Sequence, residues 1–331
     1  KQTFLHYSDN LRQLGHQVTC VIRPNAQLEP LLKQRKHDYV LLDYPRTRLP
    51  LLKHIAIKKL RLLFAQQDVD LVIVHKPIDA QLVRAALPAN CQLVLILHSY
   101  NSAGINAADL LVCVSPVVAK FARKKGYTGA IEIIPNLVEL NATEPKSRPF
   151  QSIPVIASMG IMRRTKGQDL LLQAAAILHH RNIEFRLVIA GKGRWNNKIN
   201  TLIKKLGLSD ITQRLDWISN QKRDEFIDGA DIICLPSRSE TFGMVVIEAM
   251  ARKRLVVATR CGGPQGIIKH QDNGLLCDIN ADSLANAIAA AINLDAQKQH
   301  ALCEAAYLTV IDHYSPVTVR QQIAAMLEKL P

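Results

Sequence analysis

No apolar run in the 331 residues approaches the ~18 consecutive residues that a bilayer-spanning helix needs. Aromatic residues make up only 5% of the chain. Its basic residues are therefore not interleaved with the stacking platforms of a single-strand nucleic-acid binder. The seven Cys, at 20, 91, 113, 234, 261, 277 and 303, include no Cys-x-x-Cys pair and lie mostly in apolar runs. Buried reduced thiols are expected there rather than disulfides or a zinc site. The opening Lys1-Gln2-Thr3-Phe4-Leu5-His6 lacks the features of a signal peptide, which points to a cytosolic protein. There is no repeat, heptad or low-complexity tract.

What the chain does have is positive charge, unevenly spread. Its formal net charge is +14, with 20 Lys and Arg against 11 Asp and Glu in residues 1–150 and 22 against 17 in residues 151–331. The first half thus carries +9 and the second +5. This excess predicts an anionic partner for the first half: lipid headgroups, a phosphorylated acceptor or, less favoured, nucleic acid.

The length fits two domains of roughly 150 residues, each large enough for its own core. Short apolar runs at 18–22, 39–42, 70–75, 92–97, 110–114 and 131–134 alternate with helical spacing, the pattern of a doubly wound α/β domain. Ser115-Pro116 reads as an N-cap followed by proline at the first helical position. The chain opens on a helix, which is not how a doubly wound domain begins; in the family that the motifs given below resemble, a first strand and Gly-rich loop, roughly twenty residues, would come just before it. Residues 137–154 are polar and Pro-rich and read as a linker. The boundary is therefore placed at 145, giving domains 1–145 and 146–315, with a last helix, 316–331, that returns to the first domain.

Residues 49–64, Leu-Pro-Leu-Leu-Lys-His-Ile-Ala-Ile-Lys-Lys-Leu-Arg-Leu-Leu-Phe, form a basic helix. On a wheel the apolar residues make one broad face, with His54, Lys58 and Arg61 opposite. Such a segment either lies on an anionic membrane surface or packs on the sheet with a solvated basic edge. Asp68-Val69-Asp70 has the Asp-x-Asp spelling of a metal site, but it enters a strand at its amino end, away from where ligands bind in α/β sheets. No metal site is assigned.

The second half restarts the alternation with a strand at 155–159. Gly160-Ile-Met-Arg-Arg-Thr-Lys-Gly167 follows, so Arg163, Arg164 and Lys166 stand on a loop at a strand's carboxyl end, suited to a diphosphate. Gly191-Lys192-Gly193 ends the next strand, where missing side chains let a ligand approach the backbone. The organising stretch is 230–253. A buried strand at 232–235 is stopped by Pro236, and a helix from Gly243 to Arg252 follows. Backbone N–H groups of Gly243, Met244 and Val245 then point out of the sheet's carboxyl end, where the helix dipole favours an anion. Glu240 precedes that cluster and Glu248 follows it; both are acceptors for sugar hydroxyls.

Glu240-x7-Glu248 preceded by Pro236-Ser237 and enclosing Phe242-Gly243, together with Gly262-Gly263-Pro264, resembles the retaining nucleotide-sugar glycosyltransferases of family 4, or group 1. Leu14-Gly15-His16, Val114-Ser115-Pro116, Ile134-Pro135-Asn136, Ala190-Gly191-Lys192-Gly193 and Asn273-Gly274-Leu275 fall in the same order. The resemblance implies the GT-B fold, an α/β architecture of two Rossmann-like domains facing each other across a cleft. It implies transfer of a sugar from a nucleoside diphosphate to a hydroxyl, with retention, without metal or other cofactor. Glu240 would face the donor sugar, Glu248 hold the ribose, Lys166 bind phosphates and His98 lie beside the sugar. Backbone groups around Phe242, Gly243, Met244 and Val245 would contact the sugar and β-phosphate. The family's arginine usually follows the glycine directly, where this chain has Ile161, so Arg163 or Arg164 takes that place. No carboxylate identifies itself as a nucleophile; front-face attack is preferred over a covalent intermediate. The expected acceptor is a glycan or lipid-linked glycan of envelope polysaccharide or lipopolysaccharide assembly at the cytoplasmic face of the membrane. A GT-B epimerase or phosphorylase, or a non-catalytic binder of sugar nucleotides or anionic surfaces, is the alternative.

Overall fold

The computed structural model describes residues 2–45, 49–140 and 143–330. The chain divides into two compact units: Lys1–Leu137 with Pro316–Pro331, and Val138–Ser315.

The first unit runs α1 (Gln2–Gln13), β1 (Thr19–Ile22), α2 (Glu29–Gln34), β2 (Asp38–Leu41), α3 (Pro50–Gln67), β3 (Leu71–Val74), α4 (Pro77–Ala86), β4 (Gln92–Leu97), β5 (Leu110–Cys113), α5 (Pro116–Lys124) and β6 (Ala130–Ile133). β4 and β5 are apolar over nearly their whole length because a parallel strand is covered on both faces; Leu93 to Leu97 are all buried. β3, β4, β5 and β6 form one parallel sheet in that order, while β1 and β2 form a separate parallel pair with Thr19 opposite Asp38. A cavity of about 940 Å³ is lined by both β1 and β3. Ser115 is the N-cap of α5 and Pro116 its first residue, but the serine makes no side-chain cap hydrogen bond. The C-terminal helix Pro316–Leu327 packs against α1, with Arg320 Nε donating to Asn10 Oδ1 at 3.2 Å.

The second unit runs β7 (Val155–Met159), α6 (Gln168–His180), β8 (Arg186–Ala190), α7 (Asn196–Lys205), β9 (Thr212–Leu215), α8 (Asn220–Asp228), β10 (Ile232–Leu235), α9 (Met244–Met250), β11 (Leu255–Thr259), β12 (Leu275–Cys277), α10 (Ala281–Ile292) and α11 (Ala296–Tyr314). Its parallel sheet has the order β12-β11-β10-β7-β8-β9, so the chain reverses direction of travel between β7 and β10. That switch point opens a crevice at the strands' carboxyl ends, the place where α/β sheets bind ligands. Leu171, Leu187, Ile189, Cys234, Val257 and Ile288 are completely buried in the core beneath it. Asn280 and Asp295 cap α10 and α11 through side-chain bonds to Ser283 N and Lys298 N.

The polar stretch after β6 is not a free tether. Its residues 141–142 lie outside the described residues, but Arg148 Nη1 meets Asp231 Oδ1 at 2.6 Å, and Gln151 Nε2 and the Val155 N–H donate to Asp231 Oδ2 at 3.1 and 2.8 Å. The Asp231 side chain is 1% exposed, and a carboxylate so buried needs these partners. They bind the stretch to the second unit, so the division falls at Leu137 rather than near residue 145.

Candidate active site

The loops that follow β7, β10 and β11 meet at the carboxyl end of the second unit's sheet. Lys166 ends a 3-10 turn, Arg164–Lys166, after β7. Its Nζ lies 2.6 Å from Glu240 Oε1, which also accepts a hydrogen bond from Ser237 Oγ at 2.7 Å. The Lys166 side chain is 22% exposed and that of Glu240 11%. The two charges are thus shielded on the protein side while one side stays open. The backbone of Glu240 is pinned as well: its N–H donates to Cys261 O at 3.0 Å, and its carbonyl accepts from Gly263 N–H at 2.9 Å. This tie explains the Gly262-Gly263 turn noted in the sequence, since a Cβ at Gly263 would stand 2.2 Å from Phe242 O.

Arg238 fixes the two loops to each other. Its guanidinium makes a bidentate pair with Asp169 at 2.7 and 2.8 Å, and Nη1 also donates to Arg164 O at 2.9 Å. Its N–H donates to Thr165 O at 2.8 Å. Bidentate geometry makes this a directional clamp. Neither Arg238 nor Asp169 stood out in the sequence; the readable signal was an arginine immediately after the Pro236-Ser237 strand stop. Arg163 and Arg164 are exposed, and their guanidinium groups make no hydrogen bond or ion pair among the described residues. Either is placed to receive an anion.

Glu248 sits within α9, 6% exposed, and pairs with Arg223 Nη1 of α8 at 2.8 Å. Burial pushes its carboxyl above the usual range, and the Arg223 guanidinium opposes that shift. Arg223 is a second partner the sequence did not announce. α9 covers only Met244–Met250, shorter than the helix expected to Arg252, so little macrodipole is available; the local N–H groups of its first turn remain. Gly243, at φ 112°, lets the backbone turn into that helix where an L side chain would be strained. The Phe242 ring is buried, edge-on to Tyr314 with centroids 5.7 Å apart, leaving only its backbone for a ligand.

Gly191 and Gly193 have a structural role that the sequence did not reveal. A Cβ at Gly191 would stand 1.9 Å from Gly160 O, and one at Gly193 2.4 Å from Met162 O. Their missing side chains let the loops after β7 and β8 pack together.

His98 belongs to the first unit, at the carboxyl end of β4, and is stacked on His75 at the end of β3 with centroids 5.4 Å apart and planes 9° apart. His75 Nδ1 and His98 Nε2 are 3.1 Å apart, so one proton is shared between two rings. Burial pushes His75 down to about 3 and His98 down to about 4. Both imidazoles are neutral at neutral pH. Among the described residues no cluster of three or more His, Cys, Asp or Glu side chains is arranged to hold a metal ion, and no helix is long and apolar enough to cross a membrane.

Taken together, two parallel-sheet units and a shielded cation–carboxylate pair at a topological switch point define a Rossmann-like α/β protein with an ionic cluster where such sheets bind ligands. Comparison with known proteins makes this specific. Residues 141–309 match the model of the Glycosyl transferases group 1 family, and residues 2–142 match that of Glycosyltransferase Family 4. The first match spans just over half of the chain, which belongs to the group 1 glycosyltransferases. The lipopolysaccharide core biosynthesis glycosyltransferase LpsE of Rhizobium meliloti (strain 1021) is 25% identical over 338 aligned positions, taking in 99% of this chain and 95% of LpsE. A glycosyltransferase from Rickettsia africae ESF-5 superposes with a TM-score of 0.85 at 21% identity, covering 99% of this chain and 94% of that one. Anabaena Alr3699/HepE, solved in complex with UDP and glucose, superposes with a TM-score of 0.82 at 20% identity, covering 100% and 96%. The fold is GT-B.

Proposed function

We propose that this glycosyltransferase moves a hexose from a nucleoside diphosphate sugar to a hydroxyl of a glycan or lipid-linked acceptor, with retention at the anomeric carbon. The setting we assign is envelope polysaccharide or lipopolysaccharide assembly at the cytoplasmic face of a membrane. The observation that carries this reading is the Lys166–Glu240–Ser237 cluster, held at the carboxyl end of the second unit's sheet within the region matching the family. Support comes from the relatives: LpsE is a lipopolysaccharide core glycosyltransferase, and HepE was solved with UDP and glucose.

In this reading the donor's diphosphate takes over the Lys166 ammonium, with Arg163 or Arg164 and the N–H groups of Gly243, Met244 and Val245 alongside. Glu240, released from Lys166, accepts hydrogen bonds from the sugar's hydroxyls, and Glu248 accepts from the ribose. The C1–O bond to the β-phosphate breaks as the C1–O bond to the acceptor forms on the same face, and the acceptor proton passes to the departing phosphate oxygen. Charge grows on that phosphate, and preorganised cations stabilise it best because they need no reorganisation. His98 is assigned to the reaction as the first unit's contribution, and Gly191 and Gly193 as backbone neighbours of the donor. With these cations supplying the charge, transfer is expected to need no metal.

The test is product analysis with a panel of nucleoside diphosphate sugars and lipid-linked acceptors, with and without EDTA. An α-configured product from an α-configured donor, formed equally with EDTA, supports the reading. An inverted product, or donor consumption that yields only an epimer, contradicts it.

A further inference from the structure

We propose that the outward face of α3 is a docking surface for an anionic lipid bilayer. The inference extends the proposed setting but does not depend on the transfer reaction.

The sequence led us to expect one apolar face on this helix and a basic one opposite. The structure divides the apolar residues between two faces. Ala56, Leu60, Leu63 and Phe64 are buried in the first unit. Leu51, Ile55, Lys58 and Leu62, spaced four, three and four residues apart, form a stripe that faces outward. Leu51 is 74% exposed, Leu62 57%, Ile55 40% and the neighbouring Leu52 37%. Leu49, just before the helix, is 61% exposed. Five of the 17 exposed large hydrophobic side chains among the described residues therefore fall within residues 49–62. Apolar side chains exposed singly need no explanation, but a contiguous row of them marks a contact site.

The charge selects the occupant. From Pro50 to Gln67 the helix holds Lys53, Lys58, Lys59 and Arg61 and no acidic residue. Lys53, His54, Lys58, Lys59 and Arg61 are all exposed, and the adjoining α4 is preceded by exposed Lys76 and carries exposed Ile78. Lys59 Nζ is tied to Asp43 O at 2.8 Å and Arg61 Nη2 to Ala85 O at 3.0 Å, so these two are held in place along the rim. An apolar crest flanked by cations with long aliphatic stems matches a bilayer interface. Leucine and isoleucine enter the acyl boundary while ammonium and guanidinium groups reach the anionic headgroups. A second copy of this chain fits worse, because a two-fold pairing of α3 would set cations against cations.

The experiment is co-sedimentation of the full chain, without donor or acceptor, with vesicles of phosphatidylcholine alone or containing phosphatidylglycerol. Binding is expected only to the anionic vesicles and is expected to weaken with salt. The paired change Lys58→Gln and Lys59→Gln should lower partitioning about 25-fold, since each charge near the surface contributes about fivefold. Leu51→Gln, Ile55→Gln and Leu62→Gln together should lower it more than tenfold. Because those side chains are exposed, the melting temperature should not change. Equal binding to neutral and anionic vesicles, unchanged binding in the apolar variant, or concentration-dependent dimerisation that these substitutions abolish while vesicles are ignored would each overturn the proposal. If vesicle binding holds but transfer is absent, the transfer reading fails and this one stands.

Discussion

Lys166→Ala separates what the Lys166–Glu240 pair does for the fold from what it does for the reaction. The ammonium lies 2.6 Å from Glu240 Oε1, and both side chains are largely shielded, 22% and 11% exposed. Removing it leaves the carboxylate with Ser237 Oγ still donating but without its countercharge. An uncompensated, mostly buried charge costs about 1–3 kcal/mol. In a unit running from Val138 to Ser315, that lowers the melting temperature by roughly 2–4 °C per kcal/mol. In the proposed reaction the same substitution would also remove a preorganised cation from the departing phosphate, about 3 kcal/mol or roughly a hundredfold in kcat. Adding Glu240→Gln distinguishes the two effects. The double variant has no unpaired charge, so its melting temperature should return toward the starting value while kcat stays low. Stability comes from differential scanning fluorimetry, and kcat from nucleoside diphosphate release with donor and acceptor present. Recovery of activity in the double variant, or a single variant that loses stability but keeps kcat, would refute the reasoning.

Other perturbations follow from the same geometry. Arg223→Leu removes the cation that offsets the burial of Glu248, so the carboxyl moves further up. In the proposed donor site, binding measured by calorimetry should then weaken more steeply on acidification than in the unaltered protein; an unchanged pH dependence would refute the pairing's role. His75 and His98 have folded values of about 3 and about 4, against about 6.5 for the unfolded chain. The unfolded state therefore binds more protons over that interval. Their contribution to stability is present above pH 6.5 and falls on acidification, by about 2 kcal/mol per ring at pH 5. His75→Phe should flatten the fall in melting temperature between pH 7 and pH 5; an unchanged slope would show that the pair is not buried and neutral.

The fold was legible because its signals are local. Runs such as 93–97 and 255–258 are apolar throughout, and such runs read as parallel strands whatever surrounds them. The loop residues Lys166 and Glu240 were legible because a strand stop or a glycine marked each loop. Partnerships were not. Arg238 with Asp169, Arg223 with Glu248 and His75 with His98 join residues 69, 25 and 23 positions apart, and only the packed sheet brings them together. The packing role of two glycines was hidden for the same reason: a Cβ at Gly191 or Gly193 would meet Gly160 O or Met162 O, neighbours that only the fold supplies. α3 shows the limit of a helical wheel, which gives an apolar arc but not which part of it the core covers.

The central claim is that the second unit grips a nucleoside diphosphate through the cluster at Lys166. Calorimetric titration with UDP, GDP, ADP, CDP and dTDP tests it most directly, in the unaltered protein and in Lys166→Ala. The account predicts saturable binding of one base class that weakens at least tenfold in the variant. No binding of any nucleotide, or equal affinity in both proteins, would contradict it.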